Sequence, residues 1–240
     1  MALRRIIELF KGLDERELAS MIDATILDPR IKYKHLLEAV DVTAKYSFKC
    51  LMIPPNFTIK LYKQAEKMGV KLCTVVGFPS GFSGVNAKVS ELKTVGEFVD
   101  EIDIVPDFSR IETGIEGLVE ELGLLTETAR SMGIKVVKVI VESPLLSDEE
   151  LELIVNASSR VGADYVKTST GVYSKGGDYY NVARLYRMAS NYGLKVKASG
   201  GIKTGLDAIL ALAAGATRIG TSSAVRVIES YKELISGAWD

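Results

Sequence analysis

An α/β fold of the TIM (β/α)8-barrel type, with an additional N-terminal helix, is what the sequence predicts, and three observations predict it. Eight short β-branched or apolar runs occur along the chain, at 21–25, 49–53, 70–76, 101–105, 134–141, 163–167, 194–198 and 217–220. Between them lie stretches with apolar residues at three- and four-residue spacing, such as Leu36-Leu37-Val40-Ala44 and Leu151-Ile154-Val155-Ser158, the pattern of amphipathic helices. Glycine punctuates the return from helix to strand, as in Met68-Gly69-Val70, Met132-Gly133-Ile134 and Ala214-Gly215-Ala216.

Strands that alternate with helices pair in parallel, and eight such units can close on themselves. The 240 residues approach the roughly 250 such a barrel uses. A doubly wound open sheet also alternates, but Asp28-Pro29-Arg30 follows the first strand where a dinucleotide-binding fold carries its glycine fingerprint. Ser147 before Asp148-Glu149-Glu150 and Thr204 before Leu206-Asp207 are expected helix caps. The extra helix is expected over Leu3–Phe10, where it could cover the bottom of the barrel. No linker or low-complexity break interrupts the pattern, so residues 1–240 are expected to form a single domain.

Composition narrows the function classes. Apolar residues make up 47% and charged residues 25%, an ordinary globular balance, and the net charge of −1 provides no field for nucleic acid or an anionic membrane. The longest apolar run, near Ala208 to Ala216, is far shorter than the ~20 residues a membrane span needs. The N-terminus has no signal-peptide core, and a cytosolic address is expected. Cys50 and Cys73 both lie in strand-like runs and are expected as reduced core thiols. His35, the single histidine, belongs to a helix surface. No cluster suggests a metal, and the expected partner is a small molecule.

In such a barrel, reactive groups collect at the carboxyl ends of the strands. Asp103, Lys167 and Lys197 stand there, each inside or ending a run that otherwise reads as buried. A charge in that setting must find a partner or shift its pKa. One lysine alone is compatible with a side chain leaning out to solvent. Two at matching positions of consecutive strands argue for a shared place in the barrel mouth. There, each cation and the low dielectric both disfavour charge on the other amine. A lysine brought down by ~3 units from its usual ~10.4 is a nucleophile that can form a Schiff base with a carbonyl, and Asp103 could move the protons. A second constellation lies in Gly200-Gly201-Ile202-Lys203 after the seventh strand and Gly220-Thr221-Ser222-Ser223 after the eighth. Glycine backbone and helix N-termini in those two loops suit a phosphate.

These segments resemble the deoxyribose-phosphate aldolase family. Ala163-Asp164-Tyr165-Val166-Lys167-Thr168-Ser169-Thr170-Gly171 is similar to the family's Schiff-base segment. Lys197-Ala198-Ser199-Gly200-Gly201-Ile202 is similar to its second-lysine segment, and Asp100-Glu101-Ile102-Asp103-Ile104-Val105 to its aspartate segment. Val75–Gly81, Lys138–Glu142 and Gly220–Ser223 fit as well. The resemblance implies a class I aldolase that needs no cofactor and reversibly cleaves 2-deoxy-D-ribose 5-phosphate to D-glyceraldehyde 3-phosphate and acetaldehyde. It implies Lys167 as the imine-forming lysine, Lys197 as the group that depresses its pKa and Asp103 as the proton-transfer group. Asp23, Thr25, Thr170 and Gly220 would contact the substrate, and Gly171, Gly200, Gly201, Lys203, Ser222 and Ser223 would hold the phosphate. It further implies a homodimer or homotetramer.

Four positions depart from the family pattern: Ala24 in place of histidine, Val105-Pro106-Asp107-Phe108, Val172-Tyr173-Ser174-Lys175, and an end at Gly237-Ala238-Trp239-Asp240 without a terminal tyrosine. They bear on substrate preference and rate. Three other readings remain at this level: an aldolase for other carbonyl partners, a phosphate-binding isomerase that forms no imine, and a silent sugar-phosphate binder.

Overall fold

The computed structural model describes residues 2–237. Eight parallel strands, β1 (Ile22–Thr25), β2 (Cys50–Met52), β3 (Leu72–Val76), β4 (Glu101–Ile104), β5 (Val136–Ile140), β6 (Tyr165–Lys167), β7 (Lys195–Ser199) and β8 (Arg218–Thr221), close in sequence order, β8 returning to β1. All eight expected runs are strands, with ends shifted by no more than two residues. The helices are α1 (Ala2–Gly12), α2 (Glu15–Ala19), α3 (Tyr33–Tyr46), α4 (Thr58–Lys67), α5 (Val85–Val95), α6 (Gly114–Ser131), α7 (Asp148–Arg160), α8 (Tyr179–Ala189), α9 (Gly205–Ala213) and α10 (Ala224–Ser236). Among the described residues, no helix is long and apolar enough to cross a membrane.

The expected caps are in place. Ser147 and Glu150 form a reciprocal capping box at the start of α7, and Thr204 and Asp207 form one at α9. Gly215, at φ 117°, turns the chain from α9 towards β8, and a Cβ there would enter the Tyr186 ring. The N-terminal helix is longer than expected and packs on α9. Phe10 stacks on Tyr231 of α10, whose hydroxyl donates to the Leu13 carbonyl.

Strand parity sorts the side chains into two cores. One face of every strand, with residues such as Ile22, Leu51, Leu72, Ile102, Val139, Val166, Val196 and Ile219, packs against the helices in the main hydrophobic core. The other face fills the barrel. On the β2–β3 side that filling is apolar, with Cys50, Met52, Cys73 and Val75 packed by Leu27 and Phe78. On the remaining strands it carries charge: Asp23, Glu101, Asp103, Lys138, Lys167, Lys197 and Arg218 are all buried.

One expectation is corrected here. Cys50 and Cys73 are not separate thiols; their sulfurs are in disulfide contact, with the Cα atoms 6.1 Å apart. Parity points both side chains inward from adjacent strands, which brings them within disulfide reach. The C-terminal Ala238-Trp239-Asp240, singled out for its missing tyrosine, lies outside the described residues.

Replacing Ser147 by Ala removes the acceptor for the Glu150 amide at the start of α7. The expected outcome is a loss of about 1 kcal/mol, read as a lower urea midpoint, with the far-UV spectrum unchanged.

Candidate active site

Lys167 ends β6 and lies in register beside Lys197 of β7, while Asp103 of β4 lies beside Lys138 of β5. Inward parity then converges all four on one point inside the barrel. Lys167 Nζ donates to Asp103 Oδ2 at 2.9 Å, and Lys197 Nζ donates to the same oxygen at 2.8 Å. Lys138 Nζ takes the other oxygen, Oδ1, at 3.0 Å. The two lysines expected to face one another therefore do so through a shared carboxylate.

Protonation follows from this arrangement. Burial alone would raise the Asp103 carboxyl, but the ammoniums of Lys138, Lys167 and Lys197 hold it well below the usual carboxylate range. Burial lowers Lys167, Asp103 pulls it back up, and Lys197 and then Lys138 lower it again; the balance leaves it at about 8. Desolvation is the larger influence, and the neighbouring cation adds to it. Burial would also lower Lys138, but Asp103, Asp23 and Glu101 override it and push that ammonium up. At neutral pH the pocket thus holds an ionised carboxylate beside an amine that gives up its proton readily. Lys167 is only 3% exposed, yet it lines the floor of the cavity above it.

That cavity, about 370 Å³, opens at the carboxyl ends of the strands. Its wall includes Thr25, Thr170, Gly171, Gly200, Gly201, Lys203, Gly220 and Ser222 from the predicted set, together with Leu27, Phe78 and Ser199. Asp103 and Lys197 lie beneath this wall, and two of the predicted substrate-binding residues also stand elsewhere. Asp23 is wholly buried below the cavity, with Oδ1 2.7 Å from Arg218 and Oδ2 2.6 Å from Lys197. Ser223 precedes α10 behind the wall, and its amide donates to the Thr221 hydroxyl. Gly220 does more than line the mouth: a Cβ there would come within 3.0 Å of Lys197 Cε, so its bare backbone leaves the lysine its path.

Gly200 and Gly201, at φ 86° and 91°, turn the loop after β7 in the left-handed region that glycine alone adopts without strain. A Cβ on Gly200 would meet Ser169 Oγ at 2.5 Å. The loop after β6 is tied down by Glu142, whose carboxylate accepts from the Thr170 amide at 3.0 Å and from the Ser174 hydroxyl. His35 lies half-buried on α3 and lines a neighbouring pocket that shares Thr25, Thr221 and Ser222 with this mouth. Among the described residues, metal-type donors group at Asp23, Cys50, Cys73 and Glu101. The sulfurs there are paired with each other and the carboxylates with Lys197, Lys138 and Arg218, so the grouping has no donors to spare.

Sequence reasoning passed over Glu101, Lys138, Arg218 and Glu142 as functional positions. The first three carry the same signal as Asp103, a charge inside an apolar strand, and the rule applied to every strand finds them.

A low-pKa lysine at the floor of a polar mouth, paired with an ionised aspartate inside a (β/α)8 barrel, defines the Schiff-base-forming aldolases. No protein-family model matches the sequence. A curated deoxyribose-phosphate aldolase from Aeropyrum pernix is 47% identical over 232 residues, covering 95% of this chain and 97% of that relative. One from Clostridium kluyveri is 39% identical over 217 residues, covering 90% and 99%. A solved structure described as the unique tetrameric structure of deoxyribose phosphate aldolase from Aeropyrum pernix superposes with a TM-score of 0.91 at 46% identity over 97% of both chains. Another, described as QR15, an aldolase, gives 0.81 at 33% identity over 92% of this chain and 98% of that one. The chain belongs to the deoxyribose-phosphate aldolase family, whose members are class I aldolases.

Lys197→Met leaves Asp23 and Asp103 each short of a buried counter-charge. A loss of about 3–5 kcal/mol in denaturant-measured stability is expected.

Proposed function

We propose that this protein reversibly cleaves 2-deoxy-D-ribose 5-phosphate to D-glyceraldehyde 3-phosphate and acetaldehyde through an imine on Lys167. The observation that carries this reading is the shared Asp103 oxygen, 2.9 Å from Lys167 and 2.8 Å from Lys197, beneath a cavity large enough for a pentose phosphate. Neutral Lys167 attacks the C1 aldehyde of the open-chain sugar, and loss of water gives an iminium. The iminium draws the C2–C3 bonding electrons as the C3 hydroxyl loses its proton, which releases the three-carbon aldehyde phosphate. Protonation at C2 and hydrolysis then free acetaldehyde and the amine. Asp103, held ionised and hydrogen-bonded to the reacting nitrogen, is the group suited to carry these protons, directly or through water.

Lys197 acts on Lys167 through charge and through Asp103, and Asp23 holds Lys197 rather than touching the sugar. The phosphate is assigned to the backbone of Gly171, Gly200 and Gly201 with Lys203 and Ser222; Ser223 adds the start of α10 behind them. Thr25, Thr170 and Gly220 border the sugar. The tetrameric Aeropyrum pernix relative supports a homo-oligomer here, and we assign this chain a homotetramer. A phosphorylated sugar does not cross membranes unaided, which favours action in the cytosol where such sugars are made.

Reduction in the presence of acetaldehyde should add a two-carbon group to Lys167, located by mass spectrometry, and Lys167→Leu should abolish it; an unmodified Lys167 in the wild type overturns the assignment. With the amine at about 8, about a tenth is uncharged at pH 7. The trapping rate is therefore expected to rise roughly tenfold between pH 7 and 9.5 and then level off.

A further inference from the structure

The buried charges form a closed ring. Asp23 pairs with Arg218 at 2.7 Å, Arg218 with Glu101 at 3.3 Å, Glu101 with Lys138 at 2.8 Å and Lys138 with Asp103 at 3.0 Å. Asp103 pairs with Lys197 at 2.8 Å, and Lys197 returns to Asp23 at 2.6 Å. Anion and cation alternate throughout, and each member's side chain is at most 4% exposed. Three carboxylates (Asp23, Glu101, Asp103) balance three cations (Lys138, Lys197, Arg218), so the ring is neutral by itself. Lys167 hangs from it by Asp103 alone, and a proton on Lys167 is the one uncompensated charge in the barrel interior.

We infer that Glu101 and Arg218, which lie away from the cavity and touch no part of it, are positioning residues that set the charge state of the Lys167 amine by fixing the charge balance of the ring. Arg218 holds both Asp23 oxygen Oδ1 and Glu101, which leaves Asp23 Oδ2 for Lys197. Glu101 occupies Lys138, which leaves Asp103 Oδ2 to be shared by Lys197 and Lys167. Loss of the Glu101 charge makes the interior net positive before Lys167 takes a proton, and loss of the Arg218 charge makes it net negative.

The remaining groups facing the ring do not disturb this count. Tyr165 of β6 lies under the Arg218 guanidinium, 5.6 Å from ring centroid to Cζ, and Lys195 of β7 lies on the same ring from outside. Cys73 Sγ stands 3.9 Å from Glu101 Oε2 and is paired with Cys50. The inference rests on the Schiff-base reading of Lys167.

The test is the pH dependence of cyanoborohydride trapping of acetaldehyde on Lys167, which titrates the free amine without requiring the sugar. Glu101→Gln is expected to move the midpoint about one pH unit down, and Arg218→Gln about one unit up. The double variant, neutral again, should return close to the wild type, and Arg218→Lys should stay there. Should Arg218→Gln not fold, Lys138→Gln removes a ring cation from the other side and is expected to move the midpoint upward too. Single variants that leave the midpoint in place, or shift it in the same direction, overturn the inference while the Lys167 adduct itself still forms. Absence of the adduct in the wild type overturns the Schiff-base reading and this inference with it.

Discussion

Two oxygens of one buried carboxylate, Asp103, receive three lysine ammoniums, and the rest of the molecule is arranged around that fact. A carboxylate at this depth is costly without cations, and three lysines are costly without carboxylates. The demand is met unequally. Lys138 has Glu101 as a second partner and Lys197 has Asp23, whereas Lys167 has only a half share of one oxygen. The least compensated of the three is the one that releases its proton, and it is also the one that reaches the cavity. Nucleophilicity here comes from a deficit of counter-charge as well as from dryness.

The surrounding fold keeps that deficit in place. The β2–β3 side of the interior is filled by sulfur and hydrocarbon, which offer no further carboxylate to Lys167 and keep the dielectric low. Gly220 withholds a side chain where Lys197 passes, and Glu142 pins the loop after β6 so that Lys167 is presented from a fixed strand end. The mouth above consists largely of glycine turns and hydroxyls, polar enough for a phosphorylated sugar and bare enough for its backbone amides to be approached.

Much of this was legible in the residues. The eight strands and their closure into a parallel barrel are legible in the alternating periodicity, and the lysine pair with Asp103 in charges that interrupt apolar runs. The depth of Asp23 is not legible, although its neighbour Thr25 reaches the cavity; along a strand of four residues, two positions of the same parity differ by ~7 Å in height, and depth cannot be read from parity. Cys50 and Cys73 read as separate core thiols because each lies in an apolar run, and a 23-residue separation gives no hint that register across neighbouring strands brings them together. Glu101 and Arg218 carry the same signal as Asp103, a charge inside an apolar run, but their pairing becomes visible only when the chain closes and Asp23 meets Arg218 across 195 residues.

The order of the ring members along the chain has its own consequence. β1 to β4 contribute every anion of the ring, Asp23, Glu101 and Asp103, and β5 to β8 contribute every cation, Lys138, Lys197 and Arg218, along with the pendant Lys167. In a half-barrel cut between β4 and β5, the interior charges of each half would be of a single sign and their partners would all lie on the other half. The two halves are electrostatic complements, and burying the charges of either one calls for the counter-charges of the other.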